Sequence, residues 1–129
     1  MKLLNFGHPI TEEQQQQIER VLGLDVKDDW LEIIDIRCQL DIDGPFDVQA
    51  QNLADECALD ADEWQTEALI VNPPALSSAA VMLLAEIHGR CGYYPPCVRL
   101  KKADGLPPRY ELAEVMDVDG QRQKARQRR

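Results

Sequence analysis

Residues 67–78 read E-A-L-I-V-N-P-P-A-L-S-S. Ala68-Leu69-Ile70-Val71 is apolar on both faces, which suits a strand in the middle of a sheet that is covered on both sides. Proline has no backbone N–H for a sheet and pushes the residue before it out of the helical region. Asn72-Pro73-Pro74 is therefore a stiff, extended connector that ends the strand. Ser77 or Ser78 then offers an N-cap for a helix through Ala79 to Ile87 that has almost no polar face. A buried strand, a rigid connector and an apolar helix make half of a parallel β-α-β unit, so the fold class expected is α/β.

The flanks agree. Lys2 to Phe6 reads as a short strand broken by Gly7-His8-Pro9. Thr11-x-x-Gln14 is a capping box for a helix to about Leu22, with Gly23 as its stop. Leu31 to Leu40 alternates Ile34, Ile36, Cys38 and Leu40 with Asp35, Arg37 and Gln39, a period of two with one wet face. Gly44-Pro45 turns the chain, and Val48, Leu53, Cys57 and Leu59 give Asp47 to Leu59 a helical spacing. Asp60-Ala61-Asp62-Glu63 opens a short turn that carries Trp64. Gly89 is the expected stop of the apolar helix, and Gly92 to Pro96 turns the chain again. Val98 to Leu100 and Tyr110 to Val118 read as two final strands, with a helical end after them. The order β-α-β-α-β-α-β-β points to one domain with a mostly parallel sheet.

Composition narrows the function classes. The 129 residues suffice for one core, and 44% apolar with 29% charged residues is ordinary for a globular domain. No apolar stretch approaches the roughly 20 residues of a membrane span, and no signal peptide opens the chain, so a cytoplasmic protein without membrane contact is expected. The formal charge is −9, yet Arg122, Lys124, Arg126, Arg128 and Arg129 crowd the end. Without them the body holds 9 basic against 23 acidic residues, a net of −14. Such a body does not bind long nucleic acid, whose affinity rests on phosphate neutralisation. Cys38, Cys57, Cys91 and Cys97 show no metal spacing and read as small buried hydrophobes. Neither a metal nor a cofactor is expected: G-x-G-x-x-G, G-x-x-x-x-G-K-[ST] and G-x-S-x-G are all missing.

In an open parallel sheet, ligands bind beyond the carboxyl ends of the strands, where the strand order reverses. Gly7-His8-Pro9 and Asn72-Pro73-Pro74 both lie there. Each precedes a helix N-terminus, at Thr11 and at Ser77 or Ser78, whose free N–H groups favour anions. The candidate ligand-binding residues are therefore Gly7, His8, Pro9, Asn72, Pro73, Pro74, Ser77 and Ser78, with His8 the one candidate catalytic group. The same residues also suit a strand stop, a surface turn and a helix cap, and pattern alone leaves both readings open.

The stretches K-L-L-N-F-G-H-P-I-T, W-Q-T, L-I-V-N-P-P-A-L-S and L-A-E-I-H-G-R-C-G-Y-Y-P, with the arginine-rich end, resemble the Csx-fifteen family of type III CRISPR accessory proteins. The resemblance spans nearly the whole chain, with the motifs in order. It implies a Rossmann-like domain of the CARF type over residues 1–120, helices on both faces of the sheet, and a basic tail over 121–129. It implies a homodimer, with higher assembly on ligand binding left open, that handles cyclic oligoadenylate, cyclic tetra-adenylate foremost. The family often has Gly where Ala75 stands, so this connector is stiffer. The family motifs fall on His8, Pro9, Asn72, Pro73, Pro74, Leu76, His88, Gly89 and Arg90. His88 and Arg90 lie about 15–18 Å from the connector at 1.5 Å per helical residue, and so mark either a helix stop or a second surface.

Two activities fit such a ligand. A binding protein sequesters or buffers the ring; a ring nuclease holds a ribose 2′-hydroxyl in line with the next phosphate and cleaves it. The two connectors hold one histidine and neither lysine nor arginine, which favours binding. A protein-interaction adaptor using the basic tail is the weaker alternative. The apolar face around Val81, Leu84 and Ile87 is the expected dimer seam, and a two-fold dimer presents the same rim twice around one rotationally symmetric ligand.

Overall fold

The computed structural model describes residues 1–24 and 30–129. Three strands that end alike organise the chain. Two aliphatic residues and then Asn or Asp close β1 (Lys2–Asn5), β2 (Glu32–Asp35) and β3 (Leu69–Asn72): Leu3-Leu4-Asn5, Ile33-Ile34-Asp35 and Ile70-Val71-Asn72. The three are parallel and in register, with Asn5 opposite both Asp35 and Asn72. β4 (Cys97–Ala103) joins β3 in parallel, and β5 (Arg109–Met116) closes the edge antiparallel to β4. The sheet order is β2-β1-β3-β4-β5, a single Rossmann-like α/β domain. The path runs from β1 outward to β2 and returns across β1 to β3, so the strand order reverses between β1 and β3.

Alternate residues of each strand feed two cores. Leu3, Ile70 and Val98 point to the face where Ile18 of α1 (Glu12–Leu22) and Leu31 pack. Leu4, Leu69, Val71 and Cys97 point to the other face, against α2 (Phe46–Glu56), Trp64 of α3 (Ala61–Thr66) and α4 (Ser77–Cys91). β3 is buried at every position, as its two-sided apolar run requires. On α4 the stripe Ala79, Leu83, Ile87 and Cys91 turns inward. Fully burying a Leu or Ile contributes about 1.5–3 kcal/mol, which fixes the rotation of α4 about its axis. The glutamine run of α1 is part of the packing as well. Gln14 Nε2 donates to the Tyr110 carbonyl at 2.8 Å, and the Leu112 N–H donates to Gln17 Oε1 at 2.9 Å, which occupies free backbone groups of the β5 edge.

Four local expectations change. β2 stops at Asp35, short of Leu40. Beyond it Ile36 is buried and Cys38 and Leu40 pack on the same core. Period-two burial reports an extended backbone over a core, and pairing is a separate matter. The apolar helix passes Gly89 and ends at Gly92, whose φ of 88° is the left-handed stop, because Cys91 is still needed in the core stripe. Ser77 and Ser78 are the first two residues of α4, and its N-cap is Leu76 without a side-chain hydrogen bond. Val118 opens α5 (Val118–Arg126) and does not extend β5. Asp117 caps that helix, accepting from the Gly120 N–H at 2.9 Å. All five tail cations are exposed, and α5 carries Arg122, Lys124 and Arg126.

Candidate functional site

The parallel strands bring Asp35, Asn5 and Asn72 side by side at their carboxyl ends. Asn5, 1% exposed, is the hub. Its Oδ1 accepts from the Gly7 N–H at 3.1 Å and from Asn72 Nδ2 at 2.8 Å. Its Nδ2 donates to Asp35 Oδ1 at 2.8 Å and to the His8 carbonyl at 3.0 Å. A primary amide has two donors and one two-lone-pair acceptor, so this side chain is fully used. One residue thereby ties the ends of three strands to the loop after β1.

Asn72 is 7% exposed and lies beneath that loop. A Cβ added to Gly7 would stand 2.8 Å from Asn72 Nδ2, so only glycine lets the loop sit so low. The Phe6 N–H also donates to the Asn72 carbonyl at 2.9 Å. Asn72 thus holds the loop in place, and the solvent-facing rim is formed by others: His8, Pro9, Asp35, Ser77 and Ser78 are exposed, Pro73 is half-buried and Pro74 buried. The His8 imidazole makes no hydrogen bond to the described residues. Because β2 ends at Asp35, the exposed Arg37 belongs to a third connector leaving the same edge.

The two helix N-termini expected at this edge differ. α1 is closed: Thr11 Oγ1 accepts from the Gln14 N–H at 3.1 Å, the reciprocal bond completes the capping box, and Glu12 and Glu13 fill the first turn. Two carboxylates there repel an anion. α4 has no side-chain cap and no acidic residue in its first turn, so its leading N–H groups remain open among the described residues. Beyond them Val81 is 66% exposed, Met82 38% and Leu76 40%. Of the expected dimer seam, Val81 is on the surface, Leu84 is half-buried and Ile87 belongs to the protomer's own core.

His88 and Arg90 sit at the far end of α4. His88 stacks on Tyr94 with ring centroids 4.3 Å apart. Arg90 pairs with Asp55 at 2.9 Å and Glu86 at 3.0 Å, and its guanidinium stands 5.6 Å from the Trp64 ring centroid. A cleft of about 280 Å³ opens there between Leu59, Ala61, Trp64, Gln65 and Arg90. Lys2, at the amino end of β1, is held by Glu63 at 3.3 Å and Glu67 at 3.4 Å.

Burial favours the protonated form of all four thiols. Burial pushes Cys57 up to about 12 and Cys97 up to about 11, and also raises Cys38 and Cys91. Among the described residues no group of three or more His, Cys, Asp or Glu side chains could hold a metal, and no helix is long and apolar enough to cross a membrane.

Sequence reasoning singled out the connector residues and passed over Asn5 and Asp35, which the structure sets beside them. The signal was present in the repeated ending of two aliphatics and an Asx residue, which becomes meaningful once the three endings are known to be adjacent. No protein-family model, no curated protein and no solved structure matches the chain.

Proposed function

We propose that the protein binds a cyclic oligoadenylate, cyclic tetra-adenylate foremost, at the carboxyl edge of a homodimer, and sequesters it to tune type III CRISPR signalling in the cytoplasm. One observation carries this reading beside the motif resemblance. At the point where strand order reverses, a locked Asp35–Asn5–Asn72 row lies next to a glycine-tight loop and the uncapped, carboxylate-free N-terminus of α4. Open N–H groups and the helix dipole suit phosphate oxygens, and Arg37 brings one cation to the same edge.

The rim residues are exposed, so a single protomer leaves a ligand open to water. A second copy seated on the apolar strip of Leu76, Val81 and Met82 closes the site and supplies the same rim again. The strongly acidic body repels long RNA, while a small tetra-anion is held by oriented donors. Sequestration is favoured over cleavage because the edge holds one candidate base, His8, and an activated base is usually oriented by a third group. His8 has none among the described residues, and the thiols stay protonated.

Incubation with tri-, tetra- and hexa-adenylate rings, followed by mobility shift and product chromatography, tests the reading. The tetramer ring is expected to be retained uncut by a particle of twice the chain mass in light scattering. Val81→Arg is expected to give a folded monomer that releases the ring. Linear products that depend on His8 would overturn sequestration in favour of a ring nuclease. Absence of any ring binding would overturn the reading altogether.

A further inference from the structure

We infer that Asp35 reads the hydrogen-bond donors of the ligand, the ribose 2′-hydroxyl first, and thereby decides which anions the edge accepts; the inference rests on the cyclic-nucleotide reading above. Asp35 ends β2 in register with Asn5, and its Oδ1 accepts from Asn5 Nδ2 at 2.8 Å. Asn5 is itself immobilised by three further bonds. An exposed carboxylate ordinarily samples several rotamers, but this one is held by a buried amide. An ionised carboxyl group offers about four lone-pair sites and no donor. One site is used by Asn5, and Oδ2 accepts nothing from the described residues, so it faces solvent at the rim.

A fixed acceptor with negative charge repels phosphate and attracts O–H and N–H. On a cyclic ribonucleotide those donors are the 2′-hydroxyls and the adenine amines. A carboxylate at the end of the second strand of a dinucleotide-binding sheet takes a ribose hydroxyl in the same manner. The open N-terminus of α4 and Arg37 attract the anion, and Asp35 rejects those that carry no ribose. Inorganic phosphate meets its repulsion without the ribose hydroxyl that offsets it on a ribonucleotide ring.

The test compares the unmutated protein with Asp35→Asn and Asp35→Ala, using three rings by calorimetry: cyclic tetra-adenylate, its 2′-deoxy form and its hypoxanthine form. In Asp35→Asn the retained oxygen stays on Asn5 and an NH₂ group replaces the free oxygen, so a donor faces a donor. Affinity for cyclic tetra-adenylate is expected to fall about ten- to a hundredfold, as for the loss of a hydrogen bond to a charged group. Asp35→Ala should fall similarly but also leaves one N–H of the buried Asn5 amide without its acceptor, which lowers stability. Asp35→Asn avoids that loss by keeping the oxygen, so only its thermal midpoint should stay close to that of the unmutated protein.

The 2′-deoxy ring has no hydroxyl to offset the repulsion and is expected to bind Asp35→Asn at least as tightly as the unmutated protein. If the loss in Asp35→Asn vanishes for the hypoxanthine ring instead, Asp35 still reads a donor, and the donor is the adenine amine. Unchanged or tighter binding of cyclic tetra-adenylate by Asp35→Asn would show a carboxylate facing phosphate and overturn this inference alone. Failure of the unmutated protein to bind any ring overturns it together with the proposed function.

Discussion

Replacing Asn5 by Ala removes four hydrogen bonds at once, but the loss is uneven. The His8 carbonyl and the Asp35 carboxylate belong to exposed residues and recover water. The Gly7 N–H and one N–H of Asn72 lie against the loop and are left without a partner. A buried polar group left unpaired costs about 1–3 kcal/mol, so the two together destabilise by about 2–6 kcal/mol. That is a large share of the about 5–15 kcal/mol typical of a domain. At about 3–5 °C per kcal/mol for a chain of this size, the thermal midpoint should drop by about 6–30 °C. Equilibrium urea unfolding is the assay, with the midpoint shifted and the slope unchanged. A loss below about 0.5 kcal/mol would refute the hub. Asn5→Asp provides a signed companion, because it sets a second carboxylate against Asp35 and raises the folded-state pKa of one of the pair. The native state then binds a proton that the unfolded chain, with Asp near 3.9, has released. Relative to the unmutated protein, its stability should rise as pH falls from 7 into that window. A difference that does not vary with pH would count against the contact.

Gly7→Ala should displace the Asn72 amide, which its Cβ would meet at 2.8 Å; the expected loss is about 1–3 kcal/mol with weaker ring binding, and a neutral variant would mean the loop floats. Burial holds the Cys57 thiol at about 12 and Cys97 at about 11, whereas an unfolded thiol ionises near 8.5. The native state therefore retains protons that the unfolded chain loses, and stability should fall as pH rises above about 9, by up to about 1.4 kcal/mol per unit per thiol. Cys57→Ala should flatten that decline in urea titrations, and an identical slope would contradict it. Arg90→Ala should cost about 1–2 kcal/mol, from partly exposed ion pairs and the Trp64 contact. Ring affinity should be unchanged, and a marked loss would make the far end of α4 part of the site.

Much of the fold was legible because burial imposes a period on a sequence. The two-sided apolar run at Leu69–Val71, the capping box at Thr11 and the stop at Gly23 all act within a few residues, and each stands where its local chemistry puts it. The misplacements share a cause. Ile36, Cys38 and Leu40 must be buried, and alternation cannot distinguish a paired strand from an extended segment lying on the core. Gly89 has the conformational freedom to stop a helix, yet Cys91 still had a place in the core stripe, so the helix continued to Gly92. The serines at 77 and 78 have capping chemistry, but the connector put the N-cap one residue before them, at Leu76.

The sequence by itself determined which faces are apolar, where the chain must turn and that the body is acidic, since these depend on each residue's own transfer energy, backbone freedom and charge. Only the tertiary structure decided that Asn5, Asp35 and Asn72 become neighbours. They are 30 and 67 positions apart in their bonded pairs, and parallel pairing through two crossovers on opposite faces is what aligns their ends. The same step buried Asn72, left Asp35 facing water, and released Arg37 from a strand into the rim. Hydrogen bonding acts over about 3 Å, a distance that chain separation does not encode.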